Sequence, residues 1–275
     1  MKHNLLILAV AIGLCACTQA PVTLTILHTN DTHSQVEPLE KGVSNGDCGG
    51  YARRLGLIAQ EREQDPDLLL FDAGDFCQGT PYFNIYKGDI EIEAINRMKY
   101  DAVTLGNHEF DNGVNTLAEK LAKLKCPVVC ANYVVEGSPL EDIVKPYTIL
   151  YRKGLKIGVF GLGVDPQGLI TDVNFSPLKY LDPIETGNRT ADMLKNEQHC
   201  DVVICLSHIG TLQRDGIACD SVLIRNSRNI DLVIGGHTHK LFENHKVTNL
   251  EGDSILSVQM LKSGVYVGKI KLDIE

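Results

Sequence analysis

Tryptophan is absent from this 275-residue sequence, and aromatic residues make up only 6% of it. Stacking of a planar ligand between protein rings therefore has few candidates. Basic charge is not in excess either. Lys and Arg number 26 against 35 Asp and Glu, a formal charge of −9, which disfavours a nucleic-acid polymer as partner. A small anionic substrate stays open, because bound cations can invert the local sign. No apolar run reaches the roughly 20 residues that a membrane-spanning helix needs. The nine cysteines include no CxxC pair, so a thiolate structural zinc site has no signature here. Repeats, low-complexity tracts and Pro/Gly/Ser-rich linkers are missing too, and residues 22–275 read as one domain. Disorder is excluded, since apolar residues make up 44% and recur along the whole length.

The first residues read as a targeting segment. Met1-Lys2-His3 is a short positive start, and Leu5 to Leu14 is an apolar run, the anatomy of a secretory signal peptide. Leu14-Cys15-Ala16-Cys17 then resembles the lipobox of bacterial lipoproteins. That resemblance implies removal of residues 1–16, lipidation of Cys17, a tether over 17–21 and a place in the bacterial cell envelope. The membrane would be met through the lipid anchor alone, with the protein facing the periplasm or lying on the outer membrane. Ordinary cleavage after Ala20 is the alternative, made less attractive by Pro21. Seven cysteines lie beyond Cys17. Of these Cys130, Cys200 and Cys205 sit in or beside apolar runs and read as small buried hydrophobes.

The remainder alternates between two patterns. Short apolar, β-branched runs at Val22–Leu27, Leu68–Phe71, Ala102–Leu105, Val128–Ala131, Lys156–Gly161, Val202–Leu206 and Leu232–Ile234 suit buried strands. Helical patterns fall between them at Tyr51–Gln64, Asp89–Met98 (with Asp89 as cap), Val114–Lys125 and Ile184–Gln198. Strand and helix in alternation predict α/β layers. The end, Ser254 to Ile274, reads as further strand, an antiparallel ribbon closing a second sheet.

Five of the apolar runs end in metal-capable side chains: Asp31 and His33, then Asp75, Asn107, His208, and finally His237 and His239. In open α/β sheets ligands bind beyond the carboxyl ends of strands. Singly these residues mean little. Asp31 could cap a turn, Asn107 could be a turn residue, and His208 could be a satisfied core histidine. Their shared placement is what points to chemistry. Oxygen and imidazole donors without thiolate suit divalent ions such as Zn, Mn or Fe. Seven donors exceed one tetrahedral shell but fit two ions if one carboxylate bridges, and Asp75, from a middle strand, is the natural bridge. Such a pair, about 3.5–4 Å apart, clamps an in-line displacement at phosphorus and lowers the pKa of a shared water.

The motifs Asp31-x-His33, Gly74-Asp75, Gly106-Asn107-His108-Glu109, His208 and Gly236-His237-Thr238-His239 resemble the signature of calcineurin-like metallophosphoesterases. The words Gly49-Gly50-Tyr51-Ala52-Arg53-Arg54, Asp72 to Pro81 and Gly106 to Gly113 are similar to the N-terminal catalytic domain of bacterial 5′-nucleotidases, a group that includes UDP-sugar hydrolases and 2′,3′-cyclic phosphodiesterases. The resemblance covers about Val22 to Leu272. It implies a four-layer sandwich of two mixed β-sheets flanked by helices. It assigns Asp31, His33, Asp75 and His239 to one divalent ion (Zn, Mn, Fe, Mg or Co), and Asp75, Asn107, His208 and His237 to the other. It makes His108 the histidine that faces the phosphate, held by Asp111, and leaves Glu109 without a task. The activity it implies is release of phosphate from nucleoside 5′-monophosphates or similar small phosphate esters.

One departure stands out. The family's full-length members carry a second, substrate-binding domain, whereas this sequence stops at Glu275, where the catalytic domain is expected to end. Three expectations follow: a phosphoesterase of loose specificity, a catalytic subunit that works with a separate substrate-binding polypeptide, or a non-catalytic metal-binding protein of the envelope. The complete donor set and His108 argue against the last.

Overall fold

Apolar runs that lack a polar side must be covered on both faces, and that requirement shapes the whole chain. The computed structural model describes residues 21–212 and 216–274, so Cys17 and the targeting segment lie outside the described residues. The first half contains β1 (Val22–Thr29), α1 (Tyr51–Gln64), β2 (Leu69–Asp72), α2 (Pro81–Tyr86), α3 (Asp89–Met98) and β3 (Ala102–Val103). A 3₁₀ turn at His108–Phe110 leads to α4 (Gly113–Leu121), β4 (Val128–Val129), β5 (Tyr133–Val134), β6 (Val144–Lys145) and β7 (Tyr147–Arg152). Next come β8 (Leu155–Leu162), α5 (Asp172–Phe175), β9 (Lys179–Tyr180) and α6 (Pro183–Asp192), which runs on as a π-turn over Met193–Glu197. The chain closes with β10 (Val202–Ser207), α7 (Asp220–Arg225), β11 (Leu232–Gly235), β12 (Leu241–Thr248), β13 (Ser254–Met260) and β14 (Gly268–Ile274).

Two six-stranded sheets result, in the orders β14-β1-β2-β3-β4-β6 and β12-β13-β11-β10-β8-β7. In the first sheet β1, β2, β3, β4 and β6 pair in parallel and β14 closes one edge antiparallel. In the second the central strands are parallel, and antiparallel β12 and β7 close both edges. The period of two along each strand divides its side chains between two cores. Leu69 and Phe71 of β2, with Val202, Ile204 and Leu206 of β10, fill the space between the sheets. Leu68 and Leu70 turn outward against Ile58 of α1, Ile92 and Ile95 of α3 and Leu117 of α4. Val203 and Cys205 turn the other way, toward Ala191 of α6 and Leu223 of α7. The layers are therefore α/β/β/α, the mixed-sheet sandwich expected. Cys130, Cys200 and Cys205 are buried, and all seven described cysteines are free.

The structure corrects several local expectations. Ser254–Ile274 is not a ribbon. β13 joins the second sheet beside β11, while β14 crosses to the first and pairs with β1 from Val22↔Ile274 to His28↔Gly268. Left-handed backbone at Leu261, Ser263 and Gly264 breaks the extended run, and the Ser263 N–H is held by the Asp31 carbonyl at 2.7 Å. Gly88, not Asp89, caps α3. The Asp89 carboxylate instead receives Lys120 and Lys123, each at 2.7 Å, tying α3 to α4. α4 ends at Leu121 rather than Lys125.

His28 of β1 shares the inward face of Leu24 and Ile26 and is buried, its Nδ1 without a hydrogen-bond partner. Burial lowers its pKa to about 3. The folded protein thus holds a neutral ring that the unfolded chain protonates below about pH 6.5. Stability from this source is complete above that pH and is lost as pH falls from about 6.5 toward 3. Between pH 6.5 and 4.5 the loss is roughly 2 kcal/mol. Urea unfolding across that range should show wild type losing about 2 kcal/mol more than His28→Leu; equal losses contradict the assignment.

Candidate metal centre

The parallel strands of both sheets deliver their carboxyl ends to one edge of the sandwich. Asp31 and His33 follow β1, Asp75 follows β2, Asn107 follows β3, His208 follows β10 directly, and His237 and His239 follow β11. Bonds across the seam hold the two sheets' loops together. His208 Nδ1 meets the Ala73 carbonyl at 2.7 Å. The His237 N–H donates to the Asp31 carboxylate at 3.0 and 3.1 Å. Within the first sheet, the Asp31 N–H donates to the Gly74 carbonyl at 2.9 Å and joins the loops after β1 and β2.

Asp31, His33, Asp75 and His239 each offer one atom within 4.8 Å of the others. His239 Nε2 stands 3.3 Å from Asp31 Oδ1, and 2.9 Å from His33 Nε2. The remaining donors lie alongside. His208 Nε2 is 3.1 Å from Asp75 Oδ2, and the His208 and His237 rings are 5.4 Å apart. Asn107 Oδ1 and His208 Nε2 are buried without a directed hydrogen-bond partner, although buried polar atoms are nearly always satisfied. Two carboxylates, several imidazoles and an orphaned amide oxygen form a convergence of lone pairs that suits two divalent ions.

Backbone conformation carries the same message. Asp31, His33, Asp75, His237 and His239 all adopt left-handed φ, between 45° and 74°. Such values are uncommon outside glycine and concentrate at functional sites, where surrounding structure over-determines them. Buried polar side chains supply that support. Asn30 donates to Asp31 Oδ2 at 2.6 Å and accepts from the Met260 N–H at 2.7 Å. The Gln259 carbonyl receives Thr238 Oγ1 at 2.9 Å and the Lys240 N–H at 2.6 Å, while its amide donates to the Gly236 carbonyl. Asp72 accepts from the Gly74 N–H at 2.9 Å. Sequence inspection named none of these three as site residues, and their residue types alone carry no signal. At Gly106 a side chain would overlap the Asp75 carboxylate, so only glycine lets the loops after β2 and β3 approach so closely.

Electrostatics follow from the crowding. Burial works against charge on both Asp75 and His208. Even so, each favours its partner's ionised form, so the Asp75 carboxyl falls well below the usual range and His208 rises to about 10. Burial, with His208 nearby, lowers His237 to about 4. A cation entering at His208 must therefore displace a proton.

His108 occupies the open side. Its ring is 5.4 Å from that of His33, and its side chain is 32% exposed, whereas those of Asp31 and His208 are sealed from solvent. Its Nδ1 faces Asp111 Oδ2 at 3.1 Å. That bond, aided by the Asp75 charge, raises the His108 pKa above its ordinary value. Asn174 of α5 donates to the Asp111 carbonyl at 3.0 Å and steadies the pair. The structure thus brings Asp31, His33, Asp75, Asn107, His208, His237, His239, His108 and Asp111 to one cleft edge.

Residues 24–241 match the family described as calcineurin-like phosphoesterase. Human 5′-nucleotidase is 32% identical over 275 residues, covering 92% of this chain and 46% of that protein. A 5′-nucleotidase of Naja atra venom is 37% identical over 225 residues, 78% of this chain and 41% of its own. Among solved structures, a 5′-nucleotidase precursor from Thermus thermophilus superposes with a TM-score of 0.82 at 32% identity, covering 91% of this chain and 51% of that one. The chain spans about half the length of these relatives or less.

The geometry separates two kinds of variant. On the two ligand sets that the sequence resemblance implies, Asp75→Asn removes the shared charge and should lower metal content at both positions. His108→Ala touches no donor set and should leave metal content unchanged. Metal analysis after dialysis checks this, and equal loss in the two variants contradicts the separate role of His108.

Proposed function

This chain belongs to the calcineurin-like phosphoesterase family, and on that premise we propose that it hydrolyses nucleoside 5′-monophosphates or similar small phosphate esters. The observation that carries the proposal is the junction of two features. Seven converging candidate metal donors, five of them in left-handed backbone, stand beside a solvent-facing His108–Asp111 pair. Asp31, His33, Asp75 and His239 would hold one ion, and Asp75, Asn107, His208 and His237 the other. When bound, such ions neutralise charge on phosphoryl oxygens and make a water acidic enough to attack at neutral pH.

The chain's own groups do the rest. Ala73 fixes a proton on His208 Nδ1 and leaves Nε2 turned toward the site, the usual way an outer partner orients a ligating ring. The His108 ring, whose protonated form is favoured by its bond to Asp111, stands on the open side of the site, placed to stabilise a departing oxygen and give it a proton. The substrate class rests on what the similar proteins are called, 5′-nucleotidases. A catalytic subunit served by a separate substrate-binding polypeptide is the second reading.

We also propose that Cys17 is lipidated and holds the protein in the bacterial envelope. Support comes from the sequence alone, where the apolar run Leu5–Leu14 leads into Leu14-Cys15-Ala16-Cys17, similar to a bacterial lipobox. Palmitate labelling tests this point: label on wild type that is lost in Cys17→Ala supports it, and an unlabelled wild type refutes it.

The decisive assay is phosphate release from nucleoside monophosphates, 2′,3′-cyclic nucleotides, nucleotide sugars, sugar phosphates and p-nitrophenyl phosphate, with Mn²⁺, Zn²⁺, Co²⁺ or Mg²⁺. Release from monophosphates, abolished by EDTA and reduced about 10²–10⁴-fold in His108→Ala, is expected. Release that appears only after a second polypeptide is added favours the subunit reading. A metal-loaded protein that cleaves no ester under any condition overturns both.

A further inference from the structure

Glu109 follows Asn107 and His108 directly, yet its side chain turns away from the open cleft and is buried at 3% exposure. It accepts three main-chain N–H groups at once. Asp75 and Gly106 donate to Oε2 at 2.9 and 2.6 Å, and Cys77 donates to Oε1 at 3.0 Å. These donors belong to two loops, one after β2 and one after β3. Asp75 lies three residues beyond the end of β2 and its N–H has no ladder partner, so without Glu109 three buried donors lose their acceptor. A return bond completes the arrangement, because the His108 N–H donates to Asp75 Oδ1 at 2.9 Å. Glu109 holds the Asp75 main chain while the Asp75 carboxylate holds the chain just before Glu109. This closed ring fixes the separation between the Asp75 carboxylate and the loop that carries Asn107.

We propose that Glu109 is a positioning residue that sets the geometry between Asp75 and Asn107, and so tunes affinity for the ion those two residues share. The inference rests on the two-ion reading above. It differs from a purely structural role, in which Glu109 would stabilise the fold and leave the donors' metal affinity alone. A glutamine at this position keeps the shape but replaces one acceptor oxygen with a donor, which must then face one of the three N–H groups.

The test uses the full chain freed of metal and titrated with Co²⁺, following the ligand-field absorption band, with melting temperature recorded in parallel. Wild type should take up two Co²⁺. Glu109→Gln should bind the second about 10–100-fold more weakly, the usual effect of losing a partner that orients a ligand. A folded variant that binds both ions as wild type does overturns the proposal, even if its melting temperature falls. A wild type that takes up fewer than two ions instead refutes the two-ion reading beneath it. Should the variant not fold, amide exchange in metal-free wild type decides. Protection is expected at Asp75, Cys77 and Gly106 together, and exchange there as fast as in an exposed loop overturns the inference.

Discussion

Two buried carboxylates, Asp31 and Asp75, converge on one edge of the sandwich with no Lys or Arg paired to them among the described residues. Burying uncompensated charge costs several kcal/mol per ion. Within the chain itself the Asn30 amide, the His237 and His108 N–H groups and the His208 ring offset it in part. A pair of divalent cations is a stronger counter-charge, and much of the local architecture is arranged so that the donors meet it already in place. The left-handed backbone at five donors stores strain, and Asn30, Asp72, Glu109 and Gln259 retain it through hydrogen bonds out of reach of water.

The scaffold makes that precision possible. Parallel strands leave their carboxyl ends on the same edge, and two sheets packed through a dry core bring two such edges together. Bonds such as His208 to Ala73 and His237 to Asp31 cross the seam between sheets. The core residues between the sheets thus act on the site indirectly, by setting the gap that those bonds span. His108 and Asp111 stand on a short turn at the rim, where a substrate can reach them and where Asn174 adds outside support.

Much of this was legible in the residues. Continuous apolar runs ending in Asp, Asn or His were visible one by one, and α1 and α3 begin and end where the periodicity placed them. What escaped was whatever depends on a distant partner. Asp89 looks like a helix cap until Lys120 and Lys123 approach it. The last strand reads as part of a ribbon because nothing in Gly268–Ile274 announces that its partner is β1, at the start of the domain. Asn30, Gln259 and Glu109 are polar residues of ordinary type whose function exists only once loops far apart in sequence close around them. The helices α2 and α7, with six residues each, are too short for a helical period to show.

The central claim is that seven side chains hold two cations in a shared site bridged by Asp75. Anomalous diffraction from crystals of the protein soaked in Mn²⁺ addresses it directly. Two peaks about 3.5–4 Å apart are expected, one enclosed by Asp31, His33, Asp75 and His239 and the other by Asp75, Asn107, His208 and His237. A single peak, or peaks away from Asp75, would contradict the account.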